Sequence, residues 1–486
     1  MSTKLRNKKY KREKGNVIGG WKLIEPLGEG GNGDVWEASK DGFSNSAIKI
    51  LKNIDETNYK RFVAEIHILS SVKIAGVIDI IESNIPTSLQ NDLPWFVMPK
   101  AVGIYESTNK MSTIQVAEQF VLLAETLAEL HEREISHRDI KPENILCYSN
   151  RLCFSDFGLV KYPSKEKITP QKRDVGAKFT MAPEMRREAE KANGLFADVY
   201  SLAKTLWIII TKQEKGFDGQ YNPNSIIAIK NYCQDVYTTS LDNLLSESTD
   251  NDIHLRPSAK QFAKRLREWI QLNKDFHSRN LLEWLELQKV IFPLGAPCRT
   301  EWTDTDAIIA ILNEVSRVKS LNHMFYPTGG GNTLRSVSKA EESGMIVLHV
   351  YEKIAEILKP KKLSFESFGL DPQWNYFRLE VESTEATGVE NSLNREKISE
   401  TLCEISPGNY IDYNNWEYNE YQGKELPESA RVITRFLEGA FVFFGTRSIY
   451  NRTSGTYDAR HNKMTEKQFR NYIATNAKSH YEADVT

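Results

Sequence analysis

Apolar positions in the first hundred residues come in short runs separated by turns, and after that they recur at helical spacing. Trp21-Lys22-Leu23-Ile24 leads into Gly28-Glu29-Gly30-Gly31-Asn32-Gly33-Asp34-Val35, and Ala47–Leu51 forms the next apolar run. That order predicts strand, glycine turn, strand and strand again. Over residues 57–73, Phe62, Ile66, Leu69 and Val72 fall on one helical face. Further strands are expected at Val77–Glu82 and Trp95–Met98, and a long helix over Thr113–Glu132. Helices predominate through residues 183–275, interrupted by a loop-rich interval at 212–224. Beyond that, Leu281–Ile291, Thr305–Val318, Ser338–Leu358 and Ala430–Phe444 read as helices, and Phe377–Val381 as a strand. This last stretch is an α+β module long enough to fold on its own. No internal repeat is evident.

Composition narrows the class. A chain of 486 residues exceeds what one core usually serves, and 40% hydrophobic with 26% charged residues suits a soluble globular protein. Net charge is −2, which argues against nucleic-acid binding by the molecule as a whole. The first fourteen residues hold seven Lys or Arg against Glu13 alone. Residues 1–16 therefore read as a basic disordered arm, with an electrostatic tether to nucleic acid or acidic lipid as the other reading. The arm lacks the apolar run of a signal peptide. Leu206–Ile210, the longest strongly apolar run, is far short of the roughly 20 residues that span a bilayer. Cys147, Cys153, Cys233, Cys298 and Cys403 show no paired spacing, as expected of reduced thiols in a cytoplasmic protein.

The chemistry concentrates in His137-Arg138-Asp139-Ile140-Lys141-Pro142-Glu143-Asn144. Asp139 can accept a hydroxyl proton, Lys141 can neutralise charge on a departing phosphoryl, and Asn144 can hold magnesium. This stretch closely resembles the catalytic loop of eukaryotic-like (Hanks-type) serine/threonine protein kinases, and the other family motifs follow in order. Gly28, Gly30 and Gly33 precede Val35, and Lys49 lies in Ser46-Ala47-Ile48-Lys49. Glu65 on the next helix is the expected partner of Lys49. Asp156-Phe157-Gly158 comes 17 residues after Asp139, and Ala182-Pro183-Glu184 closes the segment that follows. Arg256 matches the family's late arginine, expected to pair with Glu184, and Asp198 matches the aspartate that anchors the catalytic loop.

The resemblance covers roughly residues 17–272 and implies a bilobal fold, β-rich then α-rich, followed by a separate α+β domain from 276 to 486. It implies ATP and Mg2+ as cofactors. Lys49 would grip the α and β phosphates, with Asn144 and Asp156 as magnesium ligands. Val35 and Ala47 would cover the adenine from above, Leu146 from below and Met98 from the rear, with backbone near Pro99–Ala101 supplying hydrogen bonds. The implied reaction is γ-phosphoryl transfer to serine or threonine of protein substrates, with autophosphorylation of the activation loop. A pseudokinase scaffold, or a dual-specificity or tyrosine kinase, is the alternative.

One departure bears on the acceptor. Gly176-Ala177-Lys178-Phe179-Thr180-Met181-Ala182-Pro183-Glu184 has Ala177 where the family's serine/threonine members carry threonine, and Thr180 at the usual tyrosine position. Arg138 suggests control by phosphorylation at Ser164, Thr169 or Thr180, in a loop crowded with Lys161, Lys165, Lys167, Lys172 and Arg173. In the C-terminal domain, Gly329-Gly330-Gly331-Asn332 reads as a flexible turn, Tyr410–Tyr421 as a packed loop or strand, with a partner surface as the other reading, and His323, His349, His461 and His480 show no metal spacing. The domain is expected to dock substrates or another partner, sense a signal or act as an effector, in a signalling, stress or phage-defence setting.

Overall fold

The computed structural model describes residues 12–29, 33–52, 55–86, 92–161, 179–187, 191–233, 235–351, 354–368, 374–389, 398–417, 420–421, 423–444 and 464–484. The chain divides into two compact units, Met1–Lys274 and Asp275–Thr486.

The first unit opens with a six-stranded sheet. Its strands are β1 (Val17–Ile18), β2 (Trp21–Glu29), β3 (Gly33–Lys40), β4 (Phe43–Leu51), β5 (Glu82–Asn84) and β6 (Trp95–Pro99), in the order β1-β2-β3-β4-β6-β5. The strand expected over Val77–Glu82 starts later, because residues before Glu82 make only an isolated bridge, Val77 to Phe154. Alternating side chains serve two cores. Ala47, Leu51, Phe96 and Met98 join the main core beneath the sheet, whereas Trp21, Leu23, Ile48, Ile50, Trp95 and Val97 form a smaller one on the other side. Gly19, at φ +57°, makes the β1–β2 turn; a Cβ there would stand 2.0 Å from the Trp95 ring. Helix α1 (Glu56–Ser71) is capped by Asp55, whose side chain accepts from Asn58 N, and buries Phe62, Ile66 and Leu69.

The rest of this unit is mostly helical. Thr113–Glu132 begins with a reciprocal Ser112–Gln115 cap and buries nine side chains down one side. Gly194–Thr211 contains the apolar run at 206–210 and, as an 18-residue helix, is long and apolar enough to cross a membrane. It is instead the central core helix, with 89% of it buried. Helices Thr239–Ser248 and Ala259–Lys274 pack around the same core.

The second unit holds two six-stranded sheets. One runs Arg299–Trp302, Pro360–Glu366, Tyr376–Val381, Gly439–Phe444, His323–Phe325, Gly331–Thr333 in spatial order. The other runs Ser336–Lys339, Ile346–His349, Ile354–Leu358, Arg431–Phe436, Ser399–Ser406, Asn409–Asp412. Both sheets contribute to one core together with helices Phe276–Ile291 and Thr305–Arg317. The helix Glu466–Asp484 packs Phe469 and Ile473 with Phe325, Tyr376, Val442 and Phe444 in a separate cluster.

Two expected helices are strands. Ser338–Leu358 breaks at Gly344 (φ +79°) into parts of three strands, and Ala430–Phe444 breaks at Gly439 (φ +106°) into strands of different sheets. Ile346, Val347 and Leu348 are all buried, as are Phe441, Val442, Phe443 and Phe444. Strands covered on both faces lose the alternation that marks a strand, so their unbroken apolar runs mimic buried helices.

Candidate active site

Lys49 sits mid-strand on β4, opposite Val35 on β3 and Phe96 on β6. Helix α1 carries Glu65 on the same buried side as Phe62 and Leu69, and brings it to the lysine. Lys49 Nζ donates to Glu65 Oε1 at 2.7 Å and Oε2 at 2.9 Å, and lies 3.3 Å from Asp156 Oδ1. Burial works against charge on Lys49, but the Asp156 and Glu65 carboxylates outweigh it and raise the ammonium above its ordinary range. Burial likewise opposes ionisation of Asp156, yet Lys49 beside it holds the carboxyl below its usual value. The cluster therefore keeps a fixed cation next to a fixed anion.

Asp156 adopts φ +58° and ψ 70°, a left-handed conformation uncommon for a residue with a side chain. That turn presents the carboxylate to Lys49 while Phe157 is fully buried against His137, ring centroids 4.6 Å apart. His137 Nε2 lies 3.0 Å from Ser155 O, tying the two motifs together.

The loop at 137–144 is fastened from beneath. Asp198, near the start of the core helix, accepts from His137 N and Arg138 N, each at 2.7 Å. Arg138 itself takes φ +67°. Above this anchor, Lys141 Nζ donates to Asp139 Oδ2 at 2.9 Å. Asn144 Nδ2 donates to Asp139 O at 2.8 Å and Oδ2 at 2.9 Å. Both amide hydrogens are thus committed to Asp139, which leaves the Asn144 carbonyl oxygen as an acceptor. With the Asp156 carboxylate this makes a hard-oxygen donor pair of the kind magnesium prefers. Among the described residues no cluster of three His, Cys, Asp or Glu suits a metal, so other ligands would have to come from nucleotide and water.

The expected nucleotide residues fall as follows. Gly28 lies one residue before the end of β2 and pairs with Val35; Gly33 begins β3; Gly30 lies outside the described residues. Ala47 pairs with Met98 across β4 and β6, and Leu146 lies on the strand Ile145–Tyr148 opposite Cys153. Glu184 meets Arg256 in a two-pronged ion pair, 2.6 and 3.0 Å. Of the proposed phosphorylation sites, Ser164 and Thr169 lie outside the described residues, as do Ala177 and the loop's Lys165, Lys167, Lys172 and Arg173. Thr180 is buried, a poor position for modification. One contact near the site had no legible signal: Arg12, within the charged run of the N-terminal segment, reaches Asp34 and Leu51.

A model of the protein kinase domain matches residues 21–280, more than half of the chain. The chain belongs to the protein kinase family. Among its relatives, a probable serine/threonine-protein kinase pknA2 of Bifidobacterium longum is 26% identical over 265 residues, covering 50% of this kinase and 34% of that protein. A putative serine/threonine-protein kinase R436 of Acanthamoeba polyphaga mimivirus is 23% identical over 235 residues, covering 45% and 84%. The kinase thus spans about a third of the first relative and most of the second. A crystal structure of the Mycobacterium tuberculosis PknI kinase domain, a point mutant, aligns with 20% identity and a TM-score of 0.40, covering 54% of this chain and 99% of that one.

Proposed function

We propose that this kinase transfers the γ-phosphoryl of Mg-ATP to serine or threonine hydroxyls of other proteins. The observation that carries the reading is the convergence on Asp139. Lys141 and Asn144 both bond its Oδ2, while Lys49, buried with Glu65, also reaches the partly exposed Asp156. Asp139 orients an acceptor hydroxyl and takes its proton, a contribution of roughly 10²–10⁴ in rate. Lys141 is within reach of the same position and offsets negative charge that develops there. Lys49, fixed by Glu65, is the cation for the α and β phosphates. Bound at Asn144 and Asp156, magnesium would neutralise the phosphate oxygens. Val35, Ala47, Met98 and Leu146 supply the apolar walls for adenine, and Gly28, Gly30 and Gly33 let backbone approach the phosphates.

The presence of every one of these groups favours a catalyst over a binding-only scaffold. Names of the relatives and Lys141 two residues after Asp139 favour serine or threonine as acceptor. Phosphoamino-acid analysis after incubation with Mg-ATP and a mixed protein acceptor tests this. Phosphoserine and phosphothreonine are the expected products, and label confined to phosphotyrosine would overturn the acceptor assignment.

A further inference from the structure

The segment before the first strand carries a side chain that phosphoryl transfer does not itself require. Residues 13–16 turn back along β2: Asn16 N donates to Glu13 O at 3.1 Å, and Gly15 N to Leu23 O and Leu23 N to Asn16 O at 2.8 Å each. This path carries Arg12 past β2 to the two strands beyond it. One guanidinium nitrogen forms an ion pair with Asp34, and the other donates to the Leu51 carbonyl at 2.7 Å. Lys52 Nζ lies 3.5 Å from the other Asp34 oxygen. The Arg12 and Asp34 side chains are only 19% and 13% exposed, so solvent screens this pair less than a surface one.

What matters is where the clasp sits. In the β3–β4 ladder Gly33 pairs with Leu51 and Asp34 with Ile50. Gly33 is also the last glycine of the phosphate loop, and its missing side chain lets β3 close on β4. A Cβ there would stand 2.9 Å from the Ile50 carbonyl oxygen and 3.1 Å from Lys49 Cγ. The loop's foot is therefore packed directly on the lysine expected to hold phosphate, and Arg12 ties that foot to β4.

We propose that Arg12 is a positioning residue for the nucleotide. By clasping Asp34 and Leu51 it fixes the foot of the glycine-rich loop, at Gly33 and Asp34, against the strand that carries Lys49. The proposal rests on the kinase reading above and deepens it. Arg12 touches no reacting atom; it acts through Asp34 and the Leu51 carbonyl. A planar guanidinium engages both acceptors at once, which a lysine ammonium does less well. Its loss weakens nucleotide binding in ground and transition states alike, so KM for ATP should move and kcat should not.

The test uses the full chain as wild type, Arg12→Ala, Arg12→Lys, Asp34→Ala and the Arg12→Ala/Asp34→Ala double variant. Mg-ADP affinity is measured by calorimetry, which needs no turnover, alongside KM and kcat for ATP. Arg12→Ala is expected to weaken Mg-ADP binding and raise KM by about three- to tenfold with kcat within about twofold. Arg12→Lys should recover part of the loss, and the double variant should be no worse than the weaker single one. Lys14→Ala, which removes an exposed contact to Glu25, should change neither quantity. Unchanged affinity in Arg12→Ala, or additive losses in the double variant, would overturn the proposal. If Arg12→Ala fails to fold, Arg12→Lys and Asp34→Ala decide by the same criterion. Wild type that binds no Mg-ADP would overturn the kinase reading together with it.

Discussion

Lys204 in the first unit of this kinase and Glu356 in the second are both buried with no salt bridge among the described residues, and the two are of opposite sign. In the first unit Lys204, on the core helix, is fully buried and donates to the Phe217 carbonyl at 2.7 Å beneath the Phe217 and Tyr200 rings. In the second, Glu356 lies mid-strand with the Tyr326 and Thr434 hydroxyls as partners, and its Oε2 has none. Burial pushes Lys204 down to about 7 and Glu356 up to about 7. Elsewhere in the first unit buried cations are paired, Lys49 with the equally buried Glu65 and Arg256 with the partly exposed Glu184. Pairing keeps Lys49 charged even though burial holds its partner Glu65 above the ordinary carboxylate range, whereas Lys204, with no ion pair among the described residues, gives its charge up near neutral pH.

The two unpaired groups should therefore give the two units opposite responses to pH. Lys204 is neutral when folded and charged when unfolded between about pH 7 and 10.5, so its contribution falls as pH drops through that window. The shift corresponds to about 5 kcal/mol. Lys204→Met should remove this slope, with its gain over wild type larger at pH 6 than at pH 9 in thermal denaturation. A gain that does not vary with pH would break the comparison.

Glu356 runs the other way. Between about pH 4.5 and 7 the folded form holds a proton that the unfolded form has lost, so stability falls as pH rises and levels above 7. The magnitude is about 3 kcal/mol. Glu356→Gln should stabilise the chain relative to wild type increasingly from pH 5 to pH 8, read from hydrogen-exchange protection of the strand Ile354–Leu358. A constant difference would mean that Glu356 stays ionised in the fold.

The paired groups provide the contrast with the smallest effect. Arg256→Lys keeps the charge facing Glu184 but gives up the two-pronged grip, and should cost about 1–2 kcal/mol with no added pH slope between 6 and 9. Chemical denaturation at both pH values checks it.

How much of this was legible in the sequence follows from the same physics. Phosphoryl transfer demands particular groups at fixed separations, so Lys49, Asp139, Lys141, Asn144 and Asp156 stand out as a pattern before any fold is known. The helix Thr113–Glu132 was legible to the residue because one face is apolar and its Ser112 cap is local. Ile346–Leu348 and Phe441–Phe444 were not, since burial on both faces erases periodicity. Glu356 sits inside a stretch that reads as helix, and Arg12 inside a charge run that reads as solvated arm; each owes its role to partners far away in sequence.

The central claim is that Asp139, gripped by Lys141 and Asn144, makes this chain a catalyst. Phosphate incorporation from Mg-ATP into a protein acceptor, wild type beside Asp139→Asn, tests it most directly. The account predicts labelling by wild type and a loss of roughly 10²–10⁴ in rate for the variant. Equal incorporation by both would contradict it.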